Sequence, residues 1–189
     1  MSRTTFRTIG AALLATATFA GGATSASAAR GIPDVAPDTM AGQPMQYDFG
    51  NYANTPTATG AQICDPANEG ATMPRNGRQW TYYDGTNSLA QLTADLTITS
   101  WKNAEAALAD VAANTGMCSL DTGWRTVAWT GQDPSTHLLL TNGDDYAALA
   151  VEGKYVVAVV ATDWDGRTAT LAEARAAAID GVEATLANL

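Results

Sequence analysis

The chain has 189 residues, with 10 basic and 19 acidic side chains and a formal net charge of −9. Such an excess of acid repels phosphate backbones and anionic membrane surfaces, which argues against nucleic acid as a partner. One histidine and two cysteines are too few ligands for a zinc site, and no cofactor motif is present, so none is expected.

The first residues read as an address. Arg3 and Arg7 form a positive start, residues 9–20 are apolar but too short to span a bilayer, and Ala26-Ser27-Ala28 fits a small-x-small cleavage rule. Residues 1–29 are therefore expected to be a secretory signal peptide, cut after Ala28 or Ala29. That makes the mature protein secreted, with no membrane insertion after cleavage. A short membrane anchor is the alternative, and its length disfavours it. No cysteine adjoins the cut and no Arg-Arg pair precedes the apolar run, so neither a lipid anchor nor twin-arginine export is expected. Removal of the leader deletes two arginines and no acid, leaving a net charge of about −11 on roughly 160 residues. That length suffices for one domain with a sizeable core.

Residues 30–60 are rich in Pro, Gly, Thr, Ala and Asn and read as a flexible arm, within which Met45, Tyr47 and Phe49 alternate as a short edge strand would. A single α+β domain is expected over 61–189. Cys64 opens it in a turn-rich segment. An even cysteine count in an oxidising compartment points to a bridge from Cys64 to Cys118, closing a loop of about 55 residues and worth roughly 4 kcal/mol. Two free thiols with a redox role are the alternative, but no Cys-x-x-Cys spacing supports it.

Residues 78–83 read as a strand broken by Asp84-Gly85, and the next strand follows within a few residues as a hairpin partner. From Leu92 to Ile98 apolar residues alternate with Thr93, Asp95 and Thr97, the pattern of a half-buried strand with one wet face. Asn103 caps a helix over residues 104–113 with Ala107, Leu108, Val111 and Ala112 on its apolar stripe, and Gly116 is expected to stop it. Strands follow at 124–129 and 136–141, then a hairpin at 146–151 and 155–162. The run Tyr-Val-Val-Ala-Val-Val-Ala-Thr from Tyr155 is apolar on both faces, as a covered central strand would be. Thr170 and Glu173 form a capping-box pair for a closing helix whose stripe is Leu171, Ala174, Ala178, Val182 and Leu186. The expected fold is α+β, a mostly antiparallel sheet of five to six strands with two helices on one side, in the order β-β-α-β-β-β-β-α.

Chemistry is less legible. His137 would need Ser119 or Ser135 as nucleophile and Asp133 or Asp163 to orient it, but no G-x-S-x-G elbow exists, and a half-buried strand histidine is the favoured reading. Asp163-x-Asp165-Gly166 with Glu173 is like a calcium loop that lacks its third oxygen ligand, and helix-entry turn chemistry explains the same residues. Asp144-Asp145 offers a carboxylate pair for glycoside hydrolysis, although neighbours on a turn usually point apart. Trp124 and Trp129 fall on opposite faces of one strand by parity, so a wet face would expose one of them to a ligand or partner.

The runs Arg-Gln-Trp-Thr-Tyr-Tyr-Asp from Arg78 and Leu-Thr-Ala-Asp-Leu-Thr-Ile-Thr-Ser-Trp from Leu92, the helix leading to Cys118, and the apolar strand before an Ala-rich last helix resemble a known family. They are similar to the extracellular sensor domains of mycobacterial-type receptor Ser/Thr kinases, the PknH-like sensor domain, over roughly residues 62–189. The resemblance implies an α+β domain whose concave sheet surface binds an unidentified extracellular ligand. It maps Cys118, and with it Cys64, onto bridge-forming positions and carries over no catalytic residue. The chain departs from the receptors in lacking a kinase domain and a transmembrane helix, and it has fewer cysteines than a two-bridge sensor domain. The expected role is a secreted, non-catalytic module for a small molecule, a cell-envelope component or a protein. A hydrolase with an unrecognised site, or an inhibitor-like interaction domain, is the alternative.

Overall fold

In the computed structural model the described residues are 31–53, 75–83, 92–122, 124–163 and 171–189, with the backbone alone described for 52, 53 and 114–122. The chain order is β1 (Thr39–Met40), β2 (Gln43–Ala53), β3 (Asn76–Tyr82), β4 (Leu92–Ser100), α1 (Ala104–Thr122), β5 (Arg125–Val127), β6 (His137–Thr141), β7 (Tyr146–Glu152), β8 (Tyr155–Asp163) and α2 (Leu171–Leu186). All eight strands form one sheet in the spatial order β1-β2-β3-β4-β8-β7-β6-β5, and every neighbouring pair is antiparallel. Two four-strand meanders thus meet where β4 pairs with β8. The α+β class and the antiparallel sheet are as expected. The count and order are not: eight strands replace five to six, and four strands precede α1 where two were expected.

The extra strands come from residues expected to form a loose arm. Thr39–Met40 and Gln43–Ala53 are both in the sheet, joined by a two-residue turn with Ala41 and Gly42 at φ 54° and 73°. Positive φ at both central positions matches the right-handed twist of a tight hairpin. The segment before β1 crosses the sheet like a strap. Ile32 is buried, its N–H donates to Asn51 Oδ1 at 2.9 Å, and the Tyr82 hydroxyl donates to the Pro37 carbonyl at 2.9 Å. Arg78 ties the strap to β2: its guanidinium grips both oxygens of Asp48, lies 3.2 Å from Asp34, and stacks 4.8 Å over the Trp80 ring. Its two carboxylate partners lie 30 and 44 positions back along the chain, a pairing that local composition does not reveal.

The helices do not share a side. Trp80, Leu96, Leu139, Ala148, Ala150, Val157 and Val159 pack with Ala177, Ala178 and Val182 of α2. The alternate residues Leu138, Leu140, Ala147, Leu149, Val156 and Ala158 pack with Ala104, Ala107, Leu108 and Val111 of α1. Side chains alternate across a strand, so α1 and α2 cover opposite faces, and the expectation of both on one side is corrected. The doubly apolar β8 is the sequence sign of this sandwich. On the α2 face the strap completes the cover. Met40 lies against Gly181, where an added Cβ would sit 2.9 Å from the Met40 sulfur and 3.1 Å from Val159 Cγ1.

Helix α1 does begin at the Asn103 cap, whose Oδ1 accepts the Ala106 N–H at 3.1 Å, but it continues through Gly116 and Cys118 to Thr122. An interior glycine costs about 1 kcal/mol relative to alanine, which a 19-residue helix absorbs. Cys64, and with it the expected bridge, lies outside the described residues, as do the leader, Asp165, Gly166 and Thr170.

The Arg78–Asp48 pair gives a pH-dependent contribution of known sign. The hydrogen bond from Arg78 holds the Asp48 carboxyl below its ordinary 3.8, against a smaller opposing effect of burial. The stabilisation is therefore complete above that ordinary value and is lost as pH falls through the depressed one. Because Asp48 is substantially exposed, the pair is worth only about 1 kcal/mol after solvent screening. Asp48→Asn is expected to cost that much at pH 7 and nothing in strong acid, as read by urea unfolding at both pH values.

Candidate functional site

The expected strand at 124–129 is only β5, Arg125–Val127, and the two tryptophans that flank it part company. Trp124 is 7% exposed and belongs to the core beneath α1, so it presents no surface to a ligand. Trp129 is half-buried against the α2-side core and meets His137 edge-on, with ring centroids 5.1 Å apart. They lie against opposite faces of the sheet, so they do not share a site.

Around His137 the hydrogen bonds do not assemble a nucleophile. Ser135 Oγ donates to Asp133 Oδ1 at 2.8 Å rather than facing the imidazole, and His137 Nδ1 lies 2.9 Å from Thr136 Oγ1. Asp133 is occupied as a turn residue: the Ser135 N–H and hydroxyl both bond it, which holds its carboxyl below the ordinary range. Asp144 and Asp145 likewise serve their turn, with both N–H groups on Asn142 Oδ1 and the Asn142 amide on Asp145. Ser119's side chain lies outside the described residues, and among those residues no group of three acidic, histidine or cysteine side chains is placed to hold a metal ion.

Among the described residues, the strap and the two helices leave one half-face without a helix over it. The strap and α2 close the α2 face, and α1 lies over β5–β8 on the other. The remaining quarter is the α1 face of β2, β3 and β4, whose positions are set by the register Tyr47↔Thr81↔Asp95 and Gln79↔Thr97, with Thr93 and Thr99 beyond. Instead of apolar residues it carries hydroxyls, an amide and a carboxyl. Threonine was legible here as a wet face, but the strand is not half-exposed: Thr93, Thr97 and Thr99 are buried. They are accommodated because a hydroxyl can bond backbone. Thr93 Oγ1 donates to the Thr162 carbonyl at 3.3 Å, and Thr99 Oγ1 accepts the Trp101 indole N–H at 2.7 Å. Thr97 Oγ1 has no partner.

Asp95 is the single charged side chain at these sheet positions among the described residues. Thr81 Oγ1 donates to its Oδ1 at 2.5 Å, while burial, the larger effect, pushes the carboxyl up from its ordinary 3.8. A raised carboxyl penalises folding once ionised: the cost is absent below the ordinary value and complete above the raised one. Asp95→Asn keeps an acceptor for Thr81 and removes the charge, so it is expected to stabilise the protein by about 1 kcal/mol at pH 7 and not at all in strong acid. Paired thermal melts at the two pH values check this.

At the open end of the row stand three aromatic rings. Tyr47 and Phe49 are 50% and 61% exposed, the two most exposed large aromatic residues among those described, and Tyr47 lies 6.0 Å from both Phe49 and Tyr83. A hydrogen bond with Tyr47 raises the Tyr83 hydroxyl above its ordinary value. The Tyr47-x-Phe49 spacing was the available signal for this cluster, whereas Met45, across an irregularity between Met45 and Tyr47, turns to the α2-side core; the pairing with Tyr83 and Asp95 needed the register of β2. A bulge between Asp48 and Asn51 re-aims the strand here, with Gly50 at φ 71°.

A second depression, between the β1–β2 turn and α2, is lined by Pro37, Thr39, Met40, Asp180 and Ala184. At about 160 Å³ it is well below the roughly 300 Å³ at which small-molecule pockets begin. Compared with known proteins, the chain matches no family model and no curated protein sequence.

Proposed function

We propose that the protein is a secreted, non-catalytic binding module that takes an extracellular ligand on the polar half-face of β2–β4. The observation that carries this reading is the aromatic cluster of Tyr47, Phe49 and Tyr83 at the mouth of a row of partly shielded polar groups. Folding alone favours neither feature: exposed rings gain nothing from water, and an ionised Asp95 is a net cost. Features that cost stability without serving the core concentrate at sites of function. The resemblance to PknH-like sensor domains implies the same kind of role, on a sheet surface, and export follows from the leader-like first 29 residues. Among the described residues no helix is long and apolar enough to cross a membrane.

A thermal-shift screen of the secreted protein against envelope glycans, peptides, lipids and amines tests the reading. A ligand that binds only the folded state stabilises it by about 2.7 kcal/mol at one hundred times Kd. A dose-dependent shift in the wild type that is lost in Tyr47→Ala is expected. Shifts that survive Tyr47→Ala but vanish in Trp129→Ala would move the site to the His137 edge, and turnover of a screened glycan or peptide would favour the hydrolase.

A further inference from the structure

Resting on that binding reading, we propose that Tyr47, Phe49 and Tyr83, with Asp95 behind them, hold an organic cation: an ammonium group bearing compact alkyl substituents.

Two observations converge on this chemistry. The first is the angle between the rings. Tyr47 is tilted by 42° to Phe49 and by 45° to Tyr83, each at a centroid distance of 6.0 Å. Coplanar rings make a platform on which a flat sugar face can lie, and rings inclined by this much do not. The negative faces of such rings attract a cation.

The second is charge. Asp95 lies one strand beyond Thr81 in the row that begins at Tyr47, and no basic side chain shares the row. Asp48, the neighbour of Tyr47 in sequence, is opposite Trp80 on the other face and committed to Arg78. Asp95 therefore faces the half-face with Thr81 as its hydrogen-bond partner and no compensating positive charge among the described residues. A bound ammonium would supply that charge. The net charge of −9 draws cations and repels anions at longer range.

The test is isothermal titration of the full secreted chain with choline and with its uncharged carbon isostere, 3,3-dimethylbutan-1-ol. The two probes have the same shape and differ in one charge. Choline is expected to bind at least tenfold more tightly than the isostere. Asp95→Asn and Phe49→Ala are each expected to weaken choline binding by tenfold or more; Phe49 is exposed enough that its truncation cannot unfold the sheet, and Trp129→Ala should leave the affinity unchanged. Equal binding of the two probes overturns the inference, as does choline binding that Asp95→Asn and Phe49→Ala leave intact. A neutral glycan or peptide that binds in a Tyr47-dependent manner while choline does not bind overturns the cation and leaves the binding module standing. Silence from every compound in the screen overturns both.

Discussion

Trp80→Ala is expected to lower the stability of the protein by about 4 kcal/mol, within the upper range for a buried aromatic cut back to alanine. Trp80 is fully buried in β3, paired with Asp48 on one side and Leu96 on the other. Its ring lies under the Arg78 guanidinium that ties the strap to β2. Alanine would open a cavity where the strap, the sheet and the α2-side core meet, and little around it can collapse, because Arg78 is held by two carboxylates. Trp80→Phe should cost only about 1 kcal/mol. The lost volume is partly offset because the indole N–H, buried without a partner, disappears with it. Urea unfolding of the two variants separates these outcomes; equal losses would mean that a phenyl ring recovers none of the packing and that the site is specific to the indole shape.

The second large effect is on binding. Tyr47→Ala is expected to weaken any ligand found in the screen by at least tenfold, about 1.4 kcal/mol, while changing stability by less than about 1 kcal/mol. Both ring contacts in the cluster run through Tyr47, so its removal separates Phe49 from Tyr83 rather than merely shortening the surface. Half of the side chain already faces water, so little buried area is lost. Tyr47→Phe retains the ring and should keep most of the affinity; a loss as large as that of alanine would assign the effect to the hydroxyl and its bond to Tyr83.

Local pattern carried much of the fold. The capped start of α1, the β7–β8 hairpin, the doubly apolar β8 and the α2 stripe, apart from the exposed Leu171 at its start, were legible because each rests on neighbours within one element. What escaped depends on distance. That α1 and α2 lie on opposite faces follows from which half of an apolar β6–β8 each helix reaches, and an apolar strand is the same from either side. The strap and β1–β2 were hidden by a Pro- and Gly-rich composition, although Arg78, Tyr82 and Gly181 anchor them from far along the chain. The Thr93-to-Thr99 face was legible as polar but not as buried, since threonine serves both settings by bonding backbone. Among site residues, Trp129 and His137 do adjoin, whereas Trp124 went to the core because a tryptophan beside an α1-facing position has a hydrophobic surface to fill. Asp95 drew no notice as a single acid in a strand; its significance appears only once Tyr47 and Thr81 are placed in its row.

The most direct test of the proposed site is amide chemical-shift mapping of the protein during titration with each compound that stabilises it, beginning with choline. Perturbed amides are expected at residues 47–49, 79–83 and 93–97, with residues 127–137 undisturbed. Perturbations centred on Trp129 and His137, or spread evenly over the surface, would contradict it.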